Sequence, residues 1–438
     1  MCTPGAGRTD VAAINNIKQL SPQALLAGMI GNILEWYDFG LYGYLAPVIG
    51  SNFFPATSRI ASLLGAYSVF AVGFAMRPLG AAVLGHIGDR IGRTTVLVTS
   101  VVLMGVATCA IGLLPTYRQI GLWAPALLVA VRIFQGFSVG GEFTGSVSYL
   151  VETSPRHRRG IAGSFANIGS TSGYLLAAAA ATVTAVLAAH ARWPIGPWRV
   201  PFLAGGLIAI LAYWMRTRLH RSGYEPPPMT AAAARELPLQ QAFTGAPRAM
   251  LLAVAFTWGY GVADYLTLVF LPTFASEFGH LASSRALAIN TLGDALAVAV
   301  IPLAGWLTDR VLRRRTMLIL AFALIGCAAV GLFALAGRGT LVAVASAQFG
   351  FAICLGVVMG SAPAMLAEQF PSQYRLSGYS VSFNLGLGFG GGTAPLIATA
   401  LIGTTHHKLA AAGYLTAAAL LAIGALALMP DRSREPLL

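Results

Sequence analysis

Twelve long apolar runs separated by mostly short polar loops constrain this chain more than any other feature. They fall at roughly 22–47, 60–84, 94–114, 122–149, 160–188, 199–216, 249–275, 284–307, 316–336, 339–365, 377–402 and 409–429. Each can cross a bilayer, which takes about 20 residues of helix. In lipid a segment must satisfy its own backbone N–H and C=O groups, and a helix does so alone. The pattern predicts an all-α integral membrane protein with twelve transmembrane helices. Charged residues make up only 10% of the 438, against roughly 25% in a soluble domain. That is too few to cover a water-facing surface, and the mean hydropathy of +0.72 agrees.

A formal charge of +13 would suggest nucleic acid as the partner of a soluble chain. Here the basic residues stand in clusters between apolar runs, so they orient a membrane protein and no nucleic-acid partner is expected. With both termini in the cytoplasm, nineteen Lys and Arg lie inside, seven lie outside, and Arg77 and Arg132 fall within spans. The positive-inside rule then places both termini in the cytoplasm. The longest loop, 217–247, carries Pro226-Pro227-Pro228 and reads as a cytoplasmic linker between a six-helix bundle over 1–216 and another over 248–438. Cys2, Cys109, Cys327 and Cys354 show no metal or redox spacing, so neither a metal nor a disulfide is expected. The first 20 residues are polar and read as no signal peptide.

The halves repeat each other. Gly85-His-Ile-Gly-Asp89-Arg90-Ile-Gly-Arg93 follows span 2, and Gly305-Trp-Leu-Thr-Asp309-Arg310-Val-Leu-Arg313 follows span 8. Glu152, Pro155 and Arg159 after span 4 recur as Glu368, Pro371 and Arg375 after span 10. Parallel repeats flanking a midplane site are a transporter architecture.

The Gly-x-x-x-Asp-Arg-x-Gly-Arg stretch resembles the signature loop of the major facilitator superfamily. That resemblance implies two pseudo-symmetric six-helix bundles with spans 1, 4, 7 and 10 lining a central cavity. It also implies a gate in which the loop acid pairs with basic groups and a helix N-terminus. Leu312 departs from the pattern, standing where a glycine is usual. Gly31-Asn32-Ile-Leu-Glu35-Trp36-Tyr37-Asp38-Phe39, Met76-Arg77-Pro78-Leu-Gly80, and Arg132-Ile-Phe-Gln135-Gly136 with Gly140-Gly141-Glu142 resemble the metabolite:proton symporter family. That family implies a small organic acid, or a zwitterion such as proline or betaine, carried with protons across a bacterial inner membrane. Span 5 reads Gly169-Ser-Thr-Ser-Gly173, without the proline of proton-coupled drug exporters. With a short tail after span 12, the coiled coil of some osmoregulated relatives is not expected here.

Seven charges fall within spans: Glu35, Asp38, Arg77, Arg132, Glu142, Asp264 and Asp294. Each would cost roughly 2.5–3.5 kcal/mol facing lipid, so they must pair, face water or be neutral. Glu35 and Asp38 share a helix face at similar depth to Arg132, and the expected site is one Arg beside two carboxylates, with Arg132 as the anion contact. A purely structural ion network is the alternative. Asp264 and Asp294 stand at mid-depth with no basic residue of their half at that depth, either as proton carriers, as cation ligands or as partners in an interhelical hydrogen bond. Gln348 takes the place equivalent to Arg132. Gln135, Tyr37, Gln348 and Tyr260 complete the predicted substrate site.

The predicted gate comprises Arg77, Asp89, Arg90, Arg93, Glu142, Glu152, Asp309, Arg310, Arg313, Glu368 and Arg375. The seven histidines all stand outside mid-span, so coupling rests on carboxylates, with protons as the coupling ion and no cofactor. Trp36, Tyr37, Tyr42, Trp258, Tyr260 and Tyr265 are core aromatics, or a cation–π cage if the substrate is a quaternary amine. The Gly386–Gly392 run in span 11 reads as helix packing or a flexible gate. The sequence predicts a monomeric secondary importer of a small carboxylated metabolite with protons. A zwitterion or osmolyte symporter is the main alternative, and an exporter or a membrane-embedded enzyme the lesser ones.

Overall fold

The computed structural model describes residues 22–80, 83, 93–139, 142–190, 196–221 and 243–437. Twelve helices answer to the twelve apolar runs. In the first half these are α1 (Pro22–Tyr44), α2 (Arg59–Ala75), α3 (Arg93–Leu113), α4 (Trp123–Ser138), α5 (Arg159–His190) and α6 (Arg199–Arg221). The second half contributes α7 (Pro247–Asp264), α8 (Ser283–Arg310), α9 (Arg314–Ala336), α10 (Leu341–Ala367), α11 (Arg375–Thr405) and α12 (Ala410–Leu428). The start of α1 and the end of α12 share one membrane face, here the terminal face; the opposite side is the far face. Asp89, Arg90, Gly140 and Gly141, the side chain of Arg93, and 222–242 of the expected linker lie outside the described residues.

Local chemistry explains where the helices break. Pro47 sits in the first turn of a short helix, Ala46–Phe53, that follows α1 after a turn at Leu45. The fourth run is split: α4 stops at Ser138, Val139 is extended, and the chain resumes as the helix Glu142–Glu152. In the seventh run α7 passes into a π-helical turn, Tyr265–Phe270, before the helix Leu271–Glu277. Pro272 cannot donate to a carbonyl one turn back, and its ring crowds that turn. A wider turn just upstream accommodates both effects.

Small residues let the helices approach. Gly136 of α4 lies so near the Gly73 carbonyl of α2 that a Cβ there would overlap it. Gly261 of α7 meets Gly391 of α11 in the same way, and Gly390 packs on Trp258. The glycine run of span 11 is thus a packing surface for α7. Across the two halves α5 packs on α8 and α10, and α2 packs on α11. These crossings enclose the midplane charges.

Candidate functional site

The site begins with two acids on α1. A helical side chain leans toward the N-terminus of its own helix, so Glu35 leans toward the terminal face. Arg77 follows α2, which runs the other way, and therefore leans back toward the membrane middle. The two meet: Arg77 Nη2 donates to Glu35 Oε1, and Arg77 Nε donates to Asn384 Oδ1 of α11 at 3.3 Å. Trp36, Phe39 and Phe74 surround the guanidinium, with ring centroids 5.8, 5.3 and 5.3 Å from its carbon. Arg77, expected at the gate, is thus placed beside Glu35 in the central charge cluster. The expected single Arg between two carboxylates is replaced by two Arg–carboxylate pairs.

The second pair is Arg132 with Asp38. Arg132 Nη1 donates to Asp38 Oδ2 at 3.1 Å and to Gln135 Oε1 at 2.9 Å. Asp38 Oδ1 accepts from Thr108 at 2.8 Å and from Gln135 Nε2 at 2.7 Å. The guanidinium carbon lies 3.7 Å from the Tyr42 ring centroid, a cation–π contact. Asp38 and Arg132 are both 0% exposed, yet Arg132 Nε and Nη2 have no hydrogen-bond partner among the described residues. A buried guanidinium with donors to spare is an unusual arrangement, since buried polar groups are nearly always satisfied.

The second half holds acids without such partners. Asp264 closes α7 and is buried, and its Oδ1 lacks a hydrogen-bond partner among the described residues. Beside it the Tyr265 ring packs on Trp36, Phe70, Phe74 and Tyr174, with centroids 5.3–6.4 Å apart. The Trp36 indole N–H has no hydrogen-bond partner among the described residues either. Asp294 of α8 accepts at Oδ2 from Tyr44 (3.2 Å) and from Asn290 (3.1 Å).

Two predicted residues point elsewhere, and a third packs on a neighbouring ring. Tyr37 donates its hydroxyl to the Pro201 carbonyl of α6 at 2.7 Å. Gln348 Nε2 donates to the Thr267 carbonyl at 3.2 Å, serving a backbone acceptor inside the π-helical turn. Tyr260 is buried and stacked on Phe256.

Both faces are bridged between the halves. On the terminal face Asp309 accepts the backbone N–H groups of Gly160 (2.8 Å) and Ile161 (2.9 Å) at the start of α5. Arg314 holds Asp309 at 2.8 Å and both oxygens of Glu368 at 2.7 Å, and Arg159 approaches Glu368 at 3.6 Å. Arg375 donates to Glu152 at 2.6 Å. Burial pushes the Glu368 carboxyl above its ordinary range even though Arg314 and Arg159 oppose it. Arg310 and Arg313 are exposed and take no part in these ion pairs, so the cation expected from the loop motif is Arg314. Glu142 stands in the first turn of Glu142–Glu152. On the far face Arg59 of α2 donates two hydrogen bonds of 2.8 Å to the Glu277 carboxylate beyond α7.

The chain matches the Major Facilitator Superfamily over residues 28–381 and 261–437. It is 32% identical over 436 residues to an ectoine/proline transporter of Corynebacterium glutamicum, covering 96% of this chain and 86% of that one. It is 33% identical over 421 residues to the shikimate transporter of Escherichia coli, covering 94% and 95%. Its fold superposes on a D-xylose-proton symporter with a TM-score of 0.72 at 17% identity, over 95% of this chain and 99% of the other.

Proposed function

The chain belongs to the Major Facilitator Superfamily, and from that premise we propose that it imports a small carboxylate-bearing metabolite with protons, by alternating access. The reading rests on Arg132, a buried guanidinium that engages Asp38 through Nη1, while its Nε and Nη2 have no hydrogen-bond partner among the described residues. Guanidinium forks bind carboxylates through paired hydrogen bonds. A substrate carboxylate that takes Arg132 deprives Asp38 of its cation, and a carboxyl buried without a cation is neutral rather than charged. Substrate on Arg132 and a proton on Asp38 therefore arrive together. When the proton leaves, Asp38 reclaims Arg132 and releases the substrate. The bridges on the two faces open alternately around this site.

The Lys and Arg asymmetry supports cytoplasmic termini, and the bacterial relatives support an inner-membrane location. An inside-negative potential then adds about 2.3 kcal/mol per charge per 100 mV to import. One chain carries both halves of the site, which supports a monomer as the working unit in its lipid.

A zwitterionic substrate is the second reading, favoured by Asp264. Its unpartnered Oδ1, close to aromatic rings, would receive an ammonium group while Arg132 takes the carboxylate. Uptake of proline, ectoine and shikimate into proteoliposomes under an imposed proton gradient tests both readings. Accumulation of proline or ectoine selects the zwitterion and accumulation of shikimate alone selects the acid. Uptake of all three that ignores the gradient rejects proton coupling.

A further inference from the structure

A cavity of about 210 Å³ lies at the far-face ends of the helices, walled mainly by apolar groups such as Leu45, Val48 and Leu287, with hydroxyls of Tyr44, Ser276 and Ser283 among them. It has room for several waters, each occupying about 30 Å³ in the liquid. Its floor includes Tyr44, whose hydroxyl donates to Asp294 Oδ2 at 3.2 Å. A single phenol thus joins the cavity to a carboxyl that is 0% exposed.

The surroundings of Asp294 supply hydrogen bonds but no cation. On its own helix Asn290 donates to Oδ2 at 3.1 Å. From α1 comes Tyr44, and from α7 Asp264 lies within electrostatic reach. Gln348 of α10 packs on the neighbouring Gly293, with its amide committed to Thr267. On the α5 side Thr182 pairs with Thr291. No Lys or Arg forms an ion pair with Asp294 among the described residues, whereas Glu35 and Asp38 each hold an arginine. A carboxyl so placed has nothing but a proton to balance its charge.

We propose that Asp294 is a second proton-binding site, loaded from the far-face cavity through the Tyr44 hydroxyl and separate from the Asp38–Arg132 pair. In the loading step a hydronium in the cavity gives a proton to the Tyr44 oxygen as the phenol passes its own to Asp294 Oδ2. Hydronium becomes water, Tyr44 is regenerated, and the carboxylate becomes a carboxylic acid. The inference deepens the proton-coupled reading and rests on it for its role in transport. It adds one proton bound in the second half to the one bound in the first.

The test is infrared difference spectroscopy of the full chain in proteoliposomes after a jump from alkaline to acid pH on the far face, with no substrate present. A carboxylic-acid carbonyl band should appear, vanish in Asp294→Asn and persist in Asp38→Asn. In Tyr44→Phe, which keeps the ring and its packing, the band should rise more slowly, by about tenfold or more. Persistence of the band in Asp294→Asn, or an unchanged rate in Tyr44→Phe, would overturn the proposal. An intact Asp294 band in a protein whose uptake ignores the proton gradient would reject the symport reading alone.

Discussion

Arg132 holds Asp38 through Nη1 at 3.1 Å, while its Nε and Nη2 lack hydrogen-bond partners among the described residues. The pair joins α4 to α1, and Tyr42 and Gln135 fix the guanidinium from two further sides. The ion pair is therefore positioned firmly yet left open to one more acceptor.

That openness separates charge from shape. Arg132→Lys keeps the positive charge but loses the planar fork. Substrate affinity should fall by about 10-fold or more, equivalent to roughly 1.5–3 kcal/mol for hydrogen bonds to a charged group, while the thermal unfolding midpoint moves little. Arg132→Ala should also destabilise by about 3–5 kcal/mol, because Asp38 is then buried without its cation. Unchanged KM in Arg132→Lys would show that substrate does not use the fork.

Glu35 and Arg77 form a coupled unit within the first half. Removing either charge alone should cost about 3–5 kcal/mol, and Glu35→Gln with Arg77→Met together should cost less than the sum of the single changes. A thermal-unfolding double-mutant cycle measures this. Additive losses would mean that the pair is not energetically joined.

On the terminal face Asp309 accepts two N–H groups at the start of α5 and is held by Arg314. Asp309→Asn and Arg314→Ala should open that face, increasing maleimide labelling of a cysteine placed at Ile161. Arg310→Ala and Arg313→Ala should leave labelling near the parent level, since their exposed side chains stand outside the bridges. Equal labelling in all four would remove Asp309 and Arg314 from the latch.

The same residues show how far the sequence carries. The spans were legible because lipid makes each apolar run close its own hydrogen bonds: the last run, 409–429, emerges as Ala410–Leu428. Depth along a span was legible too, which brought Asp38 and Arg132 together. Direction was not. Arg77 falls near the terminal-face end of its span by residue count, but its side chain leans back a full turn to Glu35. Tyr37 lies between Glu35 and Asp38 in sequence, yet helical rotation turns it toward α6 and Pro201. Arg314 follows the repeated loop motif by one residue, and only the start of α9 shows that it, rather than Arg313, faces Asp309 and Glu368. The π-helical turn after Asp264 arises from Pro272 and tertiary packing together, and a hydropathy pattern carries no trace of it.

Asp431, beyond the end of α12, gives a pH-dependent contribution to stability. Burial would raise its carboxyl, but hydrogen bonds from Ser433 and from the Arg315 backbone, with the Arg314 charge, outweigh burial and hold it below the usual range. A carboxyl depressed in the folded state stabilises above its unfolded value, about 3.9, and that stabilisation fades as pH falls through the folded value. Asp431→Asn should therefore destabilise the fold at neutral pH, by about 1–2 kcal/mol for bonds of this kind. The gap from the parent should narrow in acid. A gap independent of pH would contradict the assignment.

The central claim is that Asp38 exchanges a proton against its hold on Arg132. The most direct measurement compares proton-driven accumulation with substrate counterflow in proteoliposomes of the parent and Asp38→Asn, using whichever of proline, ectoine or shikimate the parent accumulates. The neutral amide should abolish accumulation against a gradient while counterflow, which needs no net proton movement, persists. Full proton-driven accumulation by Asp38→Asn would contradict the account.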